Sequence, residues 1–160
     1  MATITASIAV SVCLVLAQLP DTGFPTTERV RVSSSVSPEK ARPGGVVTLS
    51  VEIIPKKDVR LFAPGAKDFT PVALLLSVPR GFSLGKPKYP IPERQSVPGV
   101  QKPVFVYDGR VELGQTITIA KDARPGDTLT INGMVTYQSC DESITYRRAA
   151  LPVTFTVKIG

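Results

Sequence analysis

From residue 29 onward, apolar and polar positions mostly alternate with a period of two, and Pro/Gly pairs punctuate the runs. Val30 and Val32 alternate with Arg29 and Arg31. In Val46–Ile54, residues Val47, Leu49, Val51 and Ile53 share one face of a predicted strand. The last strand is the cleanest, with Val153, Phe155, Val157 and Ile159 predicted inward and Thr154, Thr156 and Lys158 outward. Val72–Val78 is instead continuously apolar between Pro71 and Pro79, which predicts a central strand covered on both sides. Turns are predicted at Pro43-Gly44-Gly45, Lys56-Lys57-Asp58, Pro64-Gly65, Pro79-Arg80-Gly81 and Arg124-Pro125-Gly126-Asp127. Asp108-Gly109, flanked by apolar arms, predicts a type I′ hairpin, and Gly133 within Thr128–Tyr137 predicts a bulge. No stretch after the leader carries a helical period and no internal repeat is present. About eight or nine short strands give an all-β, antiparallel β-sandwich.

Two segments depart from the strand pattern. Leu84 to Pro103 has no clear period and holds Pro87, Pro90, Pro92, Pro98 and Pro103; connections of this length tend to be functional or mobile. Residues 1–17 carry no charge, and Ile8–Ala17 is too short to span a bilayer comfortably but suits a signal-peptide core. Val15 and Ala17 fit the small-residue cleavage pattern, so the mature chain is expected to start near Gln18. Because Met1–Ser7 lacks Lys and Arg, an uncleaved anchor or a misplaced start are the other readings. Cys13 reads as a leader cysteine, since Val12 before it is large for a lipoprotein site. The expected organisation is a signal peptide at 1–17, a turn-rich linker at 18–27 and one sandwich domain at 28–160, in an exported, periplasmic protein.

Composition narrows the chemistry. The chain has 160 residues, 15 Pro, 12 Gly, no His and no Trp. A Ser-His-Asp triad, a Cys-His pair and histidine-ligated zinc cannot be built from it alone. The formal net charge is +6, yet the basic residues are scattered and not interleaved with aromatics, so nucleic acid is not an expected partner. Membrane contact is expected only through an uncleaved leader.

Cys140 lies in Tyr137-Gln138-Ser139-Cys140-Asp141-Glu142-Ser143-Ile144-Thr145-Tyr146, following a predicted strand and opening a loop towards Pro152. An unpaired exported cysteine reads as an intermolecular disulfide former, a reactive thiol or a buried inert side chain. Its reactivity depends on the thiolate fraction, which Arg147 and Arg148 would favour by folding back and Asp141 and Glu142 would oppose. The Asp141-Glu142 pair reads as a solvated turn, with no third ligand for a metal. No cofactor or metal is called for.

The segment from Leu61 onward resembles the N-terminal domain of the thiol:disulfide interchange protein DsbD. The resemblance rests on Ser77-Val78-Pro79-Arg80-Gly81-Phe82, Tyr89-Pro90-Ile91-Pro92, Val106-Tyr107-Asp108-Gly109, Val135–Asp141 and Leu151–Val157. Tyr137-Gln138-Ser139-Cys140 is its most specific part. It implies an immunoglobulin-like sandwich in the periplasm. It also implies a cysteine pair that takes electrons from a DsbD-type membrane donor and reduces thioredoxin-like partners by disulfide exchange. Cys140 matches the first cysteine and is the candidate redox thiol. The second cysteine position falls at Thr145 or Tyr146, and Arg147-Arg148 replaces the prolines that often follow. Tyr89, Phe105, Tyr137, Asp141 and Thr145 are the candidate partner-binding or shielding residues. Tyr89 or Phe105, by resemblance, would lie over Cys140; as plain sandwich residues they would be rim or core aromatics. The expectation is a redox-family domain with impaired activity, the alternative a non-catalytic immunoglobulin-like interaction module.

Overall fold

The computed structural model describes residues 29–160; the predicted signal peptide and linker lie outside the described residues. Twelve strands occur among the described residues: β1 (Val30–Ser37), β2 (Lys40–Ala41), β3 (Val46–Pro55), β4 (Arg60–Phe62), β5 (Ala73–Ser77), β6 (Ser83–Leu84), β7 (Glu93–Gln95), β8 (Val104–Asp108), β9 (Val111–Thr118), β10 (Thr128–Tyr137), β11 (Ser139–Cys140) and β12 (Ala149–Ile159). They form three sheets, ordered β1-β3-β9-β6, β2-β12-β10-β5 and β11-β4-β8-β7. All pairings are antiparallel except β2 with β12. Only Gln138 separates β10 from β11, so the chain passes almost directly from the second sheet into the third.

The period-two patterns of β3 and β12 are realised as predicted, with alternate residues buried along each strand. Burying one face of such a strand contributes about 1.5–3 kcal/mol for each large aliphatic side chain removed from water. Val47, Leu49, Val51 and Ile53 of β3, Val153, Phe155, Val157 and Ile159 of β12, and Leu61 and Tyr107 of the third sheet share one main core. The fold is an all-β sandwich of antiparallel-dominated sheets.

Three local expectations are corrected. The apolar run at 72–78 forms β5, which pairs only with β10 and ends its sheet. Val72 and Leu74 are buried, but Leu75 is 57% exposed. The flanking prolines suit such an edge, since neither can donate to a further ladder. Asp108-Gly109 does not close a hairpin, because β8 and β9 belong to different sheets and the turn carries the chain between layers. A type I′ turn needs positive φ at both central residues, and here only Gly109 has it. Gly133 is not a bulge either: the register with β12 and β5 runs through it without a break. A Cβ there would lie 2.8 Å from Leu76 Cδ2 and 3.1 Å from both Leu75 O and Val153 Cγ2, so close packing of three strands is what requires glycine.

Candidate functional site

Cys140 occupies β11 at the edge of the third sheet, where it pairs with Arg60 of β4, which in turn pairs with Asp108 of β8. Partners in register share a sheet face, and so do residues two apart on a strand. Cys140, Arg60, Phe62, Val104, Val106, Asp108, Glu93 and Gln95 therefore line one face, and Ser139, Leu61, Tyr107 and Phe105 the other. The second face belongs to the main core. The first carries a separate apolar cluster of Phe62, Ala66, Val97, Val106 and Cys140, with Phe69, Val100 and Val104 packed against it. Phe62 and Phe69 stack with centroids 4.0 Å apart and planes inclined by 3°.

Two irregular segments roof this cluster. Residues 63–70 supply Ala66 and Phe69, and the stretch after β7 supplies Val97 and Val100. The latter bends at Val97-Pro98-Gly99-Val100, with Val100 N donating to Val97 O (3.3 Å) and φ of +75° at Gly99. Proline followed by a positive-φ glycine is the signature of a type II turn. The long Leu84–Pro103 connection is thus divided, and its last third forms a cap over the apolar cluster. Beneath it the Cys140 side chain has 0% exposure.

The chain after Cys140 forms a tight hairpin rather than an open loop reaching Pro152, and β12 already begins at Ala149. Asp141 N donates to Ile144 O (3.0 Å) and Tyr146 N to Ser139 O (2.8 Å). Between these bonds Cys140 faces Thr145 as an antiparallel pair without hydrogen bonds of its own. Such pairs bring Cα atoms to about 4.5 Å, inside the range a disulfide spans. The position opposite the thiol is filled by Thr145, whose Oγ1 is buried without a hydrogen-bond partner.

Asp141 shapes the tip of this hairpin. Its Oδ1 accepts from Ser143 N (2.7 Å) and Ile144 N (2.8 Å), and its Oδ2 accepts a short bond from the Tyr146 hydroxyl. The Tyr146 bond and then the two backbone bonds hold the Asp141 carboxyl below its ordinary pKa, and the same bond raises that of Tyr146. Arg29 stacks over the Tyr146 ring at 4.2 Å. Asp141 is therefore a local backbone acceptor rather than half of a carboxylate pair.

Gln138, next to the thiol's strand, is a residue the sequence reading passed over. Its Oε1 accepts from Thr70 N (3.0 Å), its Nε2 donates to Tyr146 O (3.0 Å) and its carbonyl accepts from Phe62 N (3.0 Å). It ties the roof segment, β4 and the far hairpin arm together, which gives the Tyr-Gln-x-Cys spacing a structural reason. Tyr137, at 0% exposure, is part of the main core.

The electrostatics of the thiol involve Arg60, not Arg147 or Arg148, which are both exposed. Burial pushes the Cys140 pKa up; the Arg60 charge lowers it and Asp141 raises it, both by less. Arg60 Nη1 donates to Gln95 Oε1 (3.0 Å) and Ser96 O (3.3 Å), at the start of the cap. Gln95 Nε2 in turn donates to Glu93 Oε2 (3.0 Å) and Asp108 Oδ2 (3.4 Å). The resting site is a buried thiol whose neutral form burial favours, under an apolar lid and bordered by a polar network. Alternating register hides Arg60 from a linear reading, since its nearness to Cys140 depends on strand pairing.

Tyr89 and Phe105 do not share the thiol's cluster. Phe105 packs with the main core beneath Arg94, whose guanidinium lies 4.9 Å from its ring centroid. Tyr89 is about one-third exposed and sits near Tyr107, raising that phenol's pKa after the larger effect of burial. Val97 and Val100 provide the cover in their place.

Comparison with known proteins agrees with this fold. No curated protein matches the chain. The N-terminal periplasmic domain of ScsB from Proteus mirabilis superposes with a TM-score of 0.56 at 12% identity, over 88% of this chain and 49% of that one. This chain thus spans about half the length of that relative. The Neisseria meningitidis DsbD N-terminal domain in its reduced form superposes with a TM-score of 0.50 at 13% identity, over 74% of this chain and 80% of that one. At these identities the likeness is one of fold. A family model described as thiol:disulfide interchange protein DsbD, N-terminal, matches residues 34–150, which include β4, the cap and the Cys140 hairpin, and the chain belongs to that family.

Proposed function

We propose that this is an exported thiol-disulfide exchange domain working with one thiol, and that its own reductase activity is impaired. The observation that carries the reading is Cys140 packed under a cap and set opposite Thr145, where a paired cysteine would close a disulfide. With the cap displaced, the Cys140 thiolate attacks a disulfide of a thioredoxin-like partner. A bond forms between Cys140 Sγ and one partner sulfur, the partner disulfide breaks, and the other partner sulfur leaves as thiolate. No second thiol stands within the domain to attack the mixed disulfide, so release depends on a thiol of the partner or of a DsbD-type membrane donor. Export to the periplasm is part of the proposal and is supported by the family and by the apolar leader.

The complete burial and raised pKa of Cys140 favour a second reading, a non-catalytic immunoglobulin-like interaction module with an inert cysteine. One experiment separates the two. The folded protein is incubated with a thioredoxin-like protein whose resolving cysteine is replaced by serine and whose remaining cysteine carries a thionitrobenzoate disulfide, so that attack by Cys140 expels thionitrobenzoate, and the mixture is run without reductant. A Cys140-dependent mixed disulfide is expected. Labelling of Cys140 only after denaturation, with no adduct, supports the interaction module.

A further inference from the structure

We propose that Arg60 is the positioning residue that couples opening of the cap to ionisation of Cys140. The proposal rests on the redox reading above and adds how its thiol is controlled. Arg60 lies in register with Cys140 on the same sheet face, yet its guanidinium is committed to Gln95 Oε1 and Ser96 O, the residues that lead into the cap. Val97, the next residue, is part of the thiol's apolar cover. A single side chain therefore touches the lid and borders the sulfur. While the cap is closed, Arg60 spends donors on the latch and the sulfur is in apolar surroundings, so the neutral thiol is favoured. Lifting residues 96–100 breaks the Ser96 bond, loosens the hold on the guanidinium at the end of β7 and admits water, and each change favours the thiolate. The surrounding charges fit this exchange. Asp141 on the hairpin opposes ionisation, while Glu93 and Asp108 on the same face are engaged by the Gln95 amide. Lys67, Asp68 and Lys102 on the two roofing segments are exposed. Among the described residues, Arg60 is the cation whose charge favours the thiolate. Opening and activation become one event, which keeps the thiolate from existing before a partner displaces the lid.

The test is the pH profile of Cys140 alkylation by iodoacetamide in the folded full chain, where the thiolate displaces iodide and a sulfur–carbon bond forms. Gln95→Ala weakens the latch and leaves the cation free, so the plateau rate rises by roughly tenfold and the pH midpoint falls. Arg60→Gln also loosens the cap but removes the cation, so the plateau rises while the midpoint stays above that of Gln95→Ala. Arg60→Lys restores the midpoint more than the plateau, because it keeps the charge without the forked donor. A midpoint clearly higher in Arg60→Gln than in Gln95→Ala supports the coupling. Equal midpoints in all variants, with alkylation proceeding, overturn it and leave the redox reading standing. No native-state alkylation in any variant overturns both. Should Arg60→Gln fail to fold, the salt dependence of the Gln95→Ala midpoint decides, a midpoint that rises with ionic strength as the Arg60 charge is screened supporting the coupling and a salt-independent one refuting it.

Discussion

Replacing Thr145 with cysteine should restore a disulfide that the backbone already accommodates. Cys140 and Thr145 face each other between two backbone hydrogen bonds of 3.0 and 2.8 Å, so the cross-link needs little movement of either arm. Closing a loop of about six residues removes roughly 2 kcal/mol of denatured-state freedom at 25 °C. Loss of the unpartnered Thr145 hydroxyl adds about 1 kcal/mol, the lower end of the penalty for a buried unsatisfied group. For a folded unit of this size, about 3 kcal/mol corresponds to a rise in Tm of roughly 9–15 °C. The assay is intact mass, which should show loss of two hydrogens after mild oxidation, with thermal melts run with and without reductant. Thr145→Val isolates the hydroxyl effect, since it removes the polar group and cannot cross-link. Two thiols that both label in the oxidised Thr145→Cys protein, with a melt insensitive to reductant, would refute the pairing of these positions.

Other consequences are as direct. Cys140→Ser places a hydroxyl in the apolar cluster and should cost roughly 1–3 kcal/mol by urea denaturation, more than Cys140→Ala; equal losses would mean the hydroxyl finds a partner. Because the folded thiol pKa is raised, its contribution to stability is present below the ordinary thiol value of about 8.5 and declines as pH rises through the folded value. Cys140→Ala should flatten the alkaline limb of the stability profile, and an unchanged limb would place the titration elsewhere. Gly133→Ala must push Leu76 or the Leu75 carbonyl aside and should destabilise by about 1–3 kcal/mol; a neutral result would show that β5 can shift outward freely. Asp141 has a depressed folded pKa, so its support of the hairpin holds above about pH 4 and is lost as pH falls through the folded value. The protection factors of the Ser143 and Ile144 amides, corrected for intrinsic exchange, should fall in that acid window, and Asp141→Asn should remove this step.

What the sequence discloses follows from what each pattern encodes. Alternation in β3 and β12 reports which face is buried, and that face is buried as expected. The continuous run at 72–78 reports apolarity but not the number of neighbouring strands, so an edge and a centre look alike until Leu75 is found exposed. Asp108-Gly109 announces a reversal of direction, yet whether the flanking strands pair or separate into two sheets is decided by long-range packing. The thiol's position, its missing partner and the existence of a covering segment were legible from Cys140, Thr145 and the proline-rich connection. The choice of Val97 and Val100 over Tyr89 and Phe105 was not, because one step of strand parity moves a side chain to the opposite face. Arg60 was hidden for a similar reason, since cross-strand register brings it to Cys140 from far away in sequence.

The third sheet separates the sulfur's apolar pocket from the interior that holds the sandwich together. Substitutions around the sulfur therefore act on stability through the outer cluster and leave the packing of the main core in place. Position 145 and the covering valines can thus be varied separately from the frame that carries them.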